Sequence, residues 1–355
     1  MGEVDEILRL AVKRGASDVH IQVGLPPVLR IQTQLVPLDG EKLSAEATER
    51  LMLSIMSEKQ KQLFRERLEF DFSHAVPGVS RFRVNVFTQR DSVAGAFRLI
   101  PHEIPGPETL GLPGAVIELA QLKRGFVLFT GAAGQGKSTS LAALIDRINR
   151  ERGVHIITLE DPVEYMFQHR KSVVVQRELG NDMRDFATAL RVTLREDPDV
   201  ILVGEMRDFQ TVEAALIAAE TGHLVFATLH TQTAAQSMDR IVDVFPPHQQ
   251  PQTRIQLAGV LQAVVTQQLI LRKDGNGLVL AVEFLRANAA IRNLIREAKS
   301  HQIQSVMQAG VAAGMITMES SLKALCDRGI LGEEAAMQHA FDPREMARLL
   351  GRHRH

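Results

Sequence analysis

The sequence predicts an α/β protein in two parts: an α+β domain over residues 1–100, a linker over 101–114, and a parallel-sheet domain over 115–355 with a helical C-terminal region. Three observations predict it. Short alternating strands and helical stretches share the first hundred residues, which gives a mostly antiparallel sheet. The run PHEIPGPETLGLPG, Pro101 to Gly114, is too dense in Pro and Gly for a long regular element. Beyond it, apolar strands alternate with helices, the pattern of a parallel sheet covered on both faces. A chain of 355 residues is long enough to bury both cores.

The opening MGEVDEILRLAVKRG has the period of an amphipathic helix, with Ile7, Leu8, Ala11 and Val12 on one face. After Gly15, SDVHIQVG alternates Val19, Ile21 and Val23 with polar neighbours, as a half-buried strand does. LPPVLRIQTQLVPL, with its prolines and β-branched residues, predicts a hairpin. SAEATERLMLSIMSEKQKQLFRERLE starts from Ser44, a good N-cap, and reads as helix as far as Glu69 with a break near Ser57. EFDFSHA, SRFRVNVFTQ and SVAGAFRLI are three strands separated by turn residues. Past the linker, GFVLFTG is a strand and KSTSLAALIDRINR a helix with Leu141, Leu144, Ile145 and Ile148 on one face. HIITLE, DVILVGE and LVFATLHT follow as strands, interleaved with helices around DFATALRVTLRE and FQTVEAALIAAETG. The last ~80 residues read as mainly helical.

The charge balance, 41 Lys and Arg against 42 Asp and Glu, gives no global reason to expect nucleic acid or an acidic membrane as partner. The single Tyr and the absence of Trp also count against a platform for stacked bases. One cysteine, Cys326, excludes an internal disulfide and a cysteine-built zinc site. No run approaches the ~20 apolar residues that cross a bilayer, and the N-terminus lacks a secretory signal, so a cytoplasmic protein is expected.

GAAGQGKSTS, Gly131 to Ser140, fits G-x-x-x-x-G-K-[ST] between a strand and a helix, the context its chemistry requires. Gly131, Gly134 and Gly136 permit the tight turn that aims the N–H groups of Ala132, Ala133, Gln135 and their neighbours at phosphate oxygens. The N-terminus of the helix, which runs from Ser138 through Thr139 onward, adds its positive end. Lys137 is expected to reach the β- and γ-phosphates of ATP, and Ser138 to ligate Mg²⁺.

Two acidic sites lie downstream. DPDVILVGEM ends a strand at Glu205, placed to hold Mg²⁺ and its waters. HIITLEDPVEY supplies Glu160 and Glu164 as candidates for the base that orients or deprotonates the attacking water; Pro162 turns the chain back, which favours Glu164. In TGHLVFATLHT, His230 stands at a strand's carboxyl end, where open α/β sheets bind ligands, and is placed to sense the γ-phosphate. His223, before the same strand, fits a hydrogen-bonded surface residue equally well. Arg81, Arg83 and Arg98 lie on strands of the first domain. Arginines there fit a solvated face or, in an oligomeric ATPase, a charge supplied from another domain or subunit. Arg195 and Arg207 flank the acidic strand.

GAAGQGKST, ITLEDPVEY, LREDPDVILVGEMRD and TGHLVFATLHT, in that order, resemble the ATPases of bacterial type II secretion and type IV pilus machines. Within them the chain is most similar to the pilus retraction ATPases, the PilT family, over nearly its whole length. AAIRNLIREAKSHQI, with the helix at 290–297, resembles a C-terminal motif of retraction ATPases; read physically, Ile291, Leu294, Ile295 and Ala298 form an apolar stripe and Arg292, Asn293, Arg296 and Glu297 a polar one. Extension and secretion ATPases carry a further N-terminal domain and a four-cysteine zinc subdomain, and neither has a counterpart here. The resemblance implies a PAS-like N-terminal domain, a RecA-like ATPase domain and a homohexameric ring docked on an inner-membrane platform protein. It makes Glu205 the Walker B glutamate, Glu160 to Glu164 the acidic box and His223 with His230 the histidine box. Arg83 and Arg98 become phosphate contacts from the first domain. Family loops more often read GPTGSGKST; Ala132, Ala133 and Gln135 depart from that without removing an obligatory side chain. The alternatives are an accessory retraction paralogue, an assembly or secretion ATPase, a DNA-dependent RecA-like motor and a nucleotide-binding scaffold without turnover.

Overall fold

The computed structural model describes residues 2–32, 34–100 and 103–351. The chain divides into two compact units, Met1–Glu103 with Glu164–Met166, and Ile104–Val163 with Phe167–His355.

In the first unit, α1 (Glu3–Lys13), β1 (Asp18–Ile21), β2 (Val28–Ile31), β3 (Gln34–Pro37), α2 (Ala45–Ser54), α3 (Glu58–Arg67), β4 (Glu69–Val76), β5 (Ser80–Gln89) and β6 (Ser92–Ile100) follow in order. The six strands form one antiparallel sheet in the order β3-β2-β1-β6-β5-β4. The expected break between α2 and α3 falls at Ser57, whose hydroxyl and Gln60 cap α3 reciprocally, so the chain restarts a helix rather than bending one. One face of the sheet is buried: Phe82, Val84 and Val86 alternate inward along β5 against Leu8 of α1 and Leu51 and Met52 of α2. Arg83, on the opposite face, is exposed.

The second unit runs α4 (Gly114–Ile117), β7 (Gly125–Thr130), α5 (Lys137–Glu151), β8 (His155–Glu160), β9 (Val173–Glu178), α6 (Phe186–Thr193), β10 (Val200–Val203), α7 (Phe209–Glu220), β11 (Leu224–Leu229), α8 (Ala234–Asp243), α9 (Gln250–Val260), β12 (Leu261–Leu271), β13 (Leu278–Arg286), α10 (Ala289–Arg296), α11 (Ile303–Ala309), α12 (Met318–Asp327), α13 (Glu333–His339) and α14 (Pro343–Leu349). Its seven strands are ordered β13-β12-β7-β11-β10-β8-β9, parallel except for β13. Every residue of β7, β10 and β11 is buried, because both faces are covered. Phe126 and Leu128 enter the core beneath α7, α8 and α9, while Val127 and Phe129 face Leu141, Leu144, Ile145 and Ile148 of α5.

Strands β9, β12 and β13 are absent from the sequence expectations. β12 starts at Leu261 directly after α9 ends at Val260, with no turn residue to mark the change; a continuous apolar run cannot tell a buried strand from a buried helix. Of the expected linker, Pro101 and His102 lie outside the described residues, and Glu103 to Pro113 carries no helix or strand. Its second half is not a loose spacer: Leu112 is buried in the core beside α5, and Glu108 pairs with Arg147. The C-terminal motif forms α10, with Ile291 and Ile295 buried and Leu294 partly so. Ala298 departs from the expected stripe; it is exposed at φ 57°, beyond the helix end. Arg292 is likewise no plain surface charge, since its guanidinium donates to the carbonyls of Ala258 and Gly259 at the end of α9.

Candidate active site

Three parallel strands set the site. β7 runs into the glycine loop, β11 beside it ends before His230, and β10 beside that ends before Gly204 and Glu205. Parallel strands deliver all these residues to one edge of the sheet.

The loop residues Gly131 to Gly136 bridge β7 and α5, with Ala132, Ala133 and Gly134 exposed and Lys137, Ser138 and Thr139 in the first turn of the helix. Gly131 has φ 135°, and a Cβ there would lie 2.6 Å from the Gln267 carbonyl, so the first loop position admits only glycine. Lys137 Nζ donates to the carbonyls of Gly131 at 2.7 Å and Ala132 at 2.8 Å, folding the ammonium back over the loop. Gln135 is not a passive replacement: its side-chain oxygen accepts the Leu269 N–H of β12 and ties the loop to the neighbouring strand. From the same strand Gln267 donates to Ser140 of α5 at 2.7 Å. Beside the loop opens a cavity of about 260 Å³, lined by Gly131, Ala132, Gln135, Gln232, Gln268 and His339 among others.

Glu205 lies between two partners. Arg207 Nη2 is 2.7 Å from Oε2 and His230 Nε2 is 3.1 Å from Oε1. The Arg207 hydrogen bond, with the charges of Arg207, His230 and Lys137, holds this carboxyl below the ordinary glutamate range despite its partial burial. The turn carrying it is fixed on both sides: Asp208 caps α7 by accepting from Thr211 N at 2.8 Å, and the Thr228 hydroxyl of β11 donates to the Gly204 carbonyl.

Glu160 ends β8, three strands from β7, which is about 14 Å across the sheet at the usual spacing. It is 8% exposed, and its Oε1 accepts from Thr158 Oγ1 at 2.6 Å and from Gln176 Nε2 of the outer strand β9 at 3.2 Å. Glu164 is exposed and belongs with the first unit. His223 does not reach the loop within the chain. It precedes β11, whose six residues separate it from His230 by about 20 Å, and its Nδ1 lies 2.8 Å from the Ala218 carbonyl. Arg83 and Arg98 are cross-strand partners on β5 and β6, and Arg98 Nε pairs with Asp18 at 2.9 Å. Arg195 is exposed. Sequence reasoning missed the polar groups on the other flank of the loop, Thr130, Thr266 and Glu283. The one signal was a lone carboxylate inside the apolar run VLAVEFL.

A strand-loop-helix phosphate cradle with an acidic strand end beside it, on a parallel sheet, defines a P-loop ATPase of RecA-like build. Residues 113–288 match the family described as Type II/IV secretion system protein. The type IV pilus retractation ATPase PilT of Pseudomonas aeruginosa is 45% identical over 96% of this chain and 99% of its own. A twitching motility protein of Neisseria gonorrhoeae is 47% identical over 90% of this chain and 86% of its own. The crystal structure of the pilus retraction motor PilT with bound ADP superposes with a TM-score of 0.91 at 51% identity, covering 98% of this chain and 100% of that one. The chain belongs to the PilT family of type II/IV secretion ATPases.

Proposed function

We infer that the chain is an ATP-hydrolysing motor that retracts type IV pili and so drives twitching motility. The observation that carries this reading is the agreement with a pilus retraction motor along 98% of the chain, at 51% identity. Lys137 and the loop N–H groups bind the ATP phosphates. Ser138 and Glu205 hold Mg²⁺, and the donors fit that ion: a hydroxyl in the first turn of α5 and a carboxylate kept ionised by Arg207. The ion, when bound, offsets the charge that develops on the phosphate oxygens. His230, paired with Glu205, responds to the γ-phosphate end. Glu164 serves as the general base, a role favoured by Pro162, which turns the chain back after Glu160.

Six copies form the ring, with Arg83 and Arg98 brought to the nucleotide from the N-terminal unit, and the ring works against a platform protein of the inner membrane. Among the described residues no helix is long and apolar enough to cross a membrane, which fits attachment through that partner. The test is a gene deletion with surface pili counted and twitching scored, complemented by wild type and by Lys137→Ala. Abundant pili without twitching, restored by wild type alone, is the expected result. Bald cells would make the protein an assembly motor, and unchanged piliation with normal twitching would sink the reading.

A further inference from the structure

Glu283 lies in the middle of β13 and is 1% exposed, a carboxyl group with no ion pair among the described residues to justify its burial. Its Oε1 accepts the N–H of Ala234, the first residue of α8, at 2.7 Å, and lies 3.4 Å from the Thr266 hydroxyl of β12. Thr266 in turn is 2.9 Å from the hydroxyl of Thr130, the residue that precedes Gly131. The register places Thr130, Thr266 and Glu283 side by side across β7, β12 and β13, on one face of the sheet. Oε2 has no hydrogen-bond partner among the described residues.

Thr233 caps α8 locally by accepting the Gln236 N–H at 3.1 Å, and the buried Ala234 N–H of the same turn goes to Glu283. What Glu283 adds is a long-range tie. The segment His230 to Thr233 leaves the β11 ladder at Leu229, is held along its length by His230 on Glu205 and by Thr231 on the Ser237 hydroxyl at 2.6 Å, and is followed by the Ala234 N–H held by Glu283. Within that segment Gln232 lines the cavity with Gly131 and Ala132. We propose that Glu283 is a positioning residue for ATP hydrolysis, fixing the segment from His230 to Thr233 against the base of the phosphate loop through Thr266 and the Ala234 N–H. The proposal rests on the reading of His230 as a group that responds to the γ-phosphate.

Burial pushes the Glu283 carboxyl up to about 7, with Glu319 adding to the rise and the Ala234 and Thr266 hydrogen bonds opposing it. A carboxamide reproduces the protonated acid and keeps an oxygen for Ala234, so Glu283→Gln is the conservative variant. The experiment is steady-state ATPase kinetics and ADP titration on the full chain. Glu283→Ala should lower kcat about tenfold while ADP affinity stays within about threefold, since Lys137 and its loop are untouched. Glu283→Gln should restore kcat to within about threefold of wild type. Thr266→Val should lower kcat in the same direction, and its effect should be less than additive with Glu283→Ala. An unchanged kcat in Glu283→Ala overturns the proposal, as does a parallel loss of kcat and ADP affinity, or a Gln variant as impaired as the Ala variant. If Glu283→Ala does not fold, Thr266→Val decides, and a wild-type kcat there overturns it. A normal kcat in His230→Ala, by contrast, would defeat the reading of His230 and leave Glu283 to be judged by its own variants.

Discussion

On the β10–β11 side of the phosphate loop the strand ends carry charge: Glu205 between Arg207 and His230, with Lys137 opposite. On the β12–β13 side the contacts come from Thr266, Gln267 and the Leu269 N–H, and from a glutamate that burial pushes up to about 7. The two glutamates differ in what surrounds them. Glu205 is half-buried and has a guanidinium at 2.7 Å, so its ionised form is favoured. Glu283 is buried with another carboxyl, Glu319, nearby, so its neutral form is favoured. One flank carries fixed charge at the strand ends, and the other holds the loop by hydrogen bonds that carry little field.

The largest break in this contrast is expected from Glu205→Gln. It leaves the shape and removes the charge, and should lower turnover on the order of a hundredfold with ADP affinity largely kept. Steady-state kinetics beside ADP titration checks it, and a fall of less than threefold would place the essential charge elsewhere.

Next in size is the pH dependence of stability in Glu283→Gln. In the folded protein the carboxyl binds its proton up to about 7, whereas unfolded it releases it near its ordinary value of 4.5. Between those values the native state holds a proton that the unfolded state has lost, so stability falls as pH rises through the window. The amide cannot ionise. Glu283→Gln should therefore gain on wild type as pH rises from 5 to 8, by on the order of 3 kcal/mol at the upper end. Urea unfolding at the two pH values measures it, and a difference that does not change with pH would mean the group titrates normally.

The smallest effect is expected from Gln135→Ala. Losing the tie to the Leu269 N–H should loosen the loop and raise KM for ATP about two- to fivefold with kcat nearly unchanged. A lower KM would show that the tie holds the loop in a shape that ATP must displace.

The charged flank was legible in the sequence because its residues sit at strand ends, next to turn residues, where apolar periodicity stops. Gly131 to Ser138, Glu205 and His230 all announce themselves in that way. The neutral flank was not legible, for a physical reason. Thr266 and Gln267 occur in LQAVVTQQLIL, which follows α9 without a break, and their partners Thr130 and Ser140 lie far away in sequence. Non-local pairing of β12 with β7 makes the site there, and no local pattern encodes it. His223 and His230 teach the same lesson in reverse: they are close in sequence, yet a strand's length separates them. The N-terminal sheet was readable for the opposite reason. Its strands pair mostly with neighbours in sequence, as in β4, β5 and β6, so alternation and turns suffice.

The junction of α9 and β12 carries a mechanical consequence. No residue intervenes between Val260 and Leu261, and Arg292 of α10 clasps the last carbonyls of the helix. β12 shifts register between Leu261 and Ala263 and then runs on to Leu269, whose N–H grips Gln135, so one continuous run of contacts joins α10, the end of α9 and the phosphate loop. The C-terminal motif and the phosphate loop are thereby joined through a single strand, irregular at its start and regular where it meets the loop.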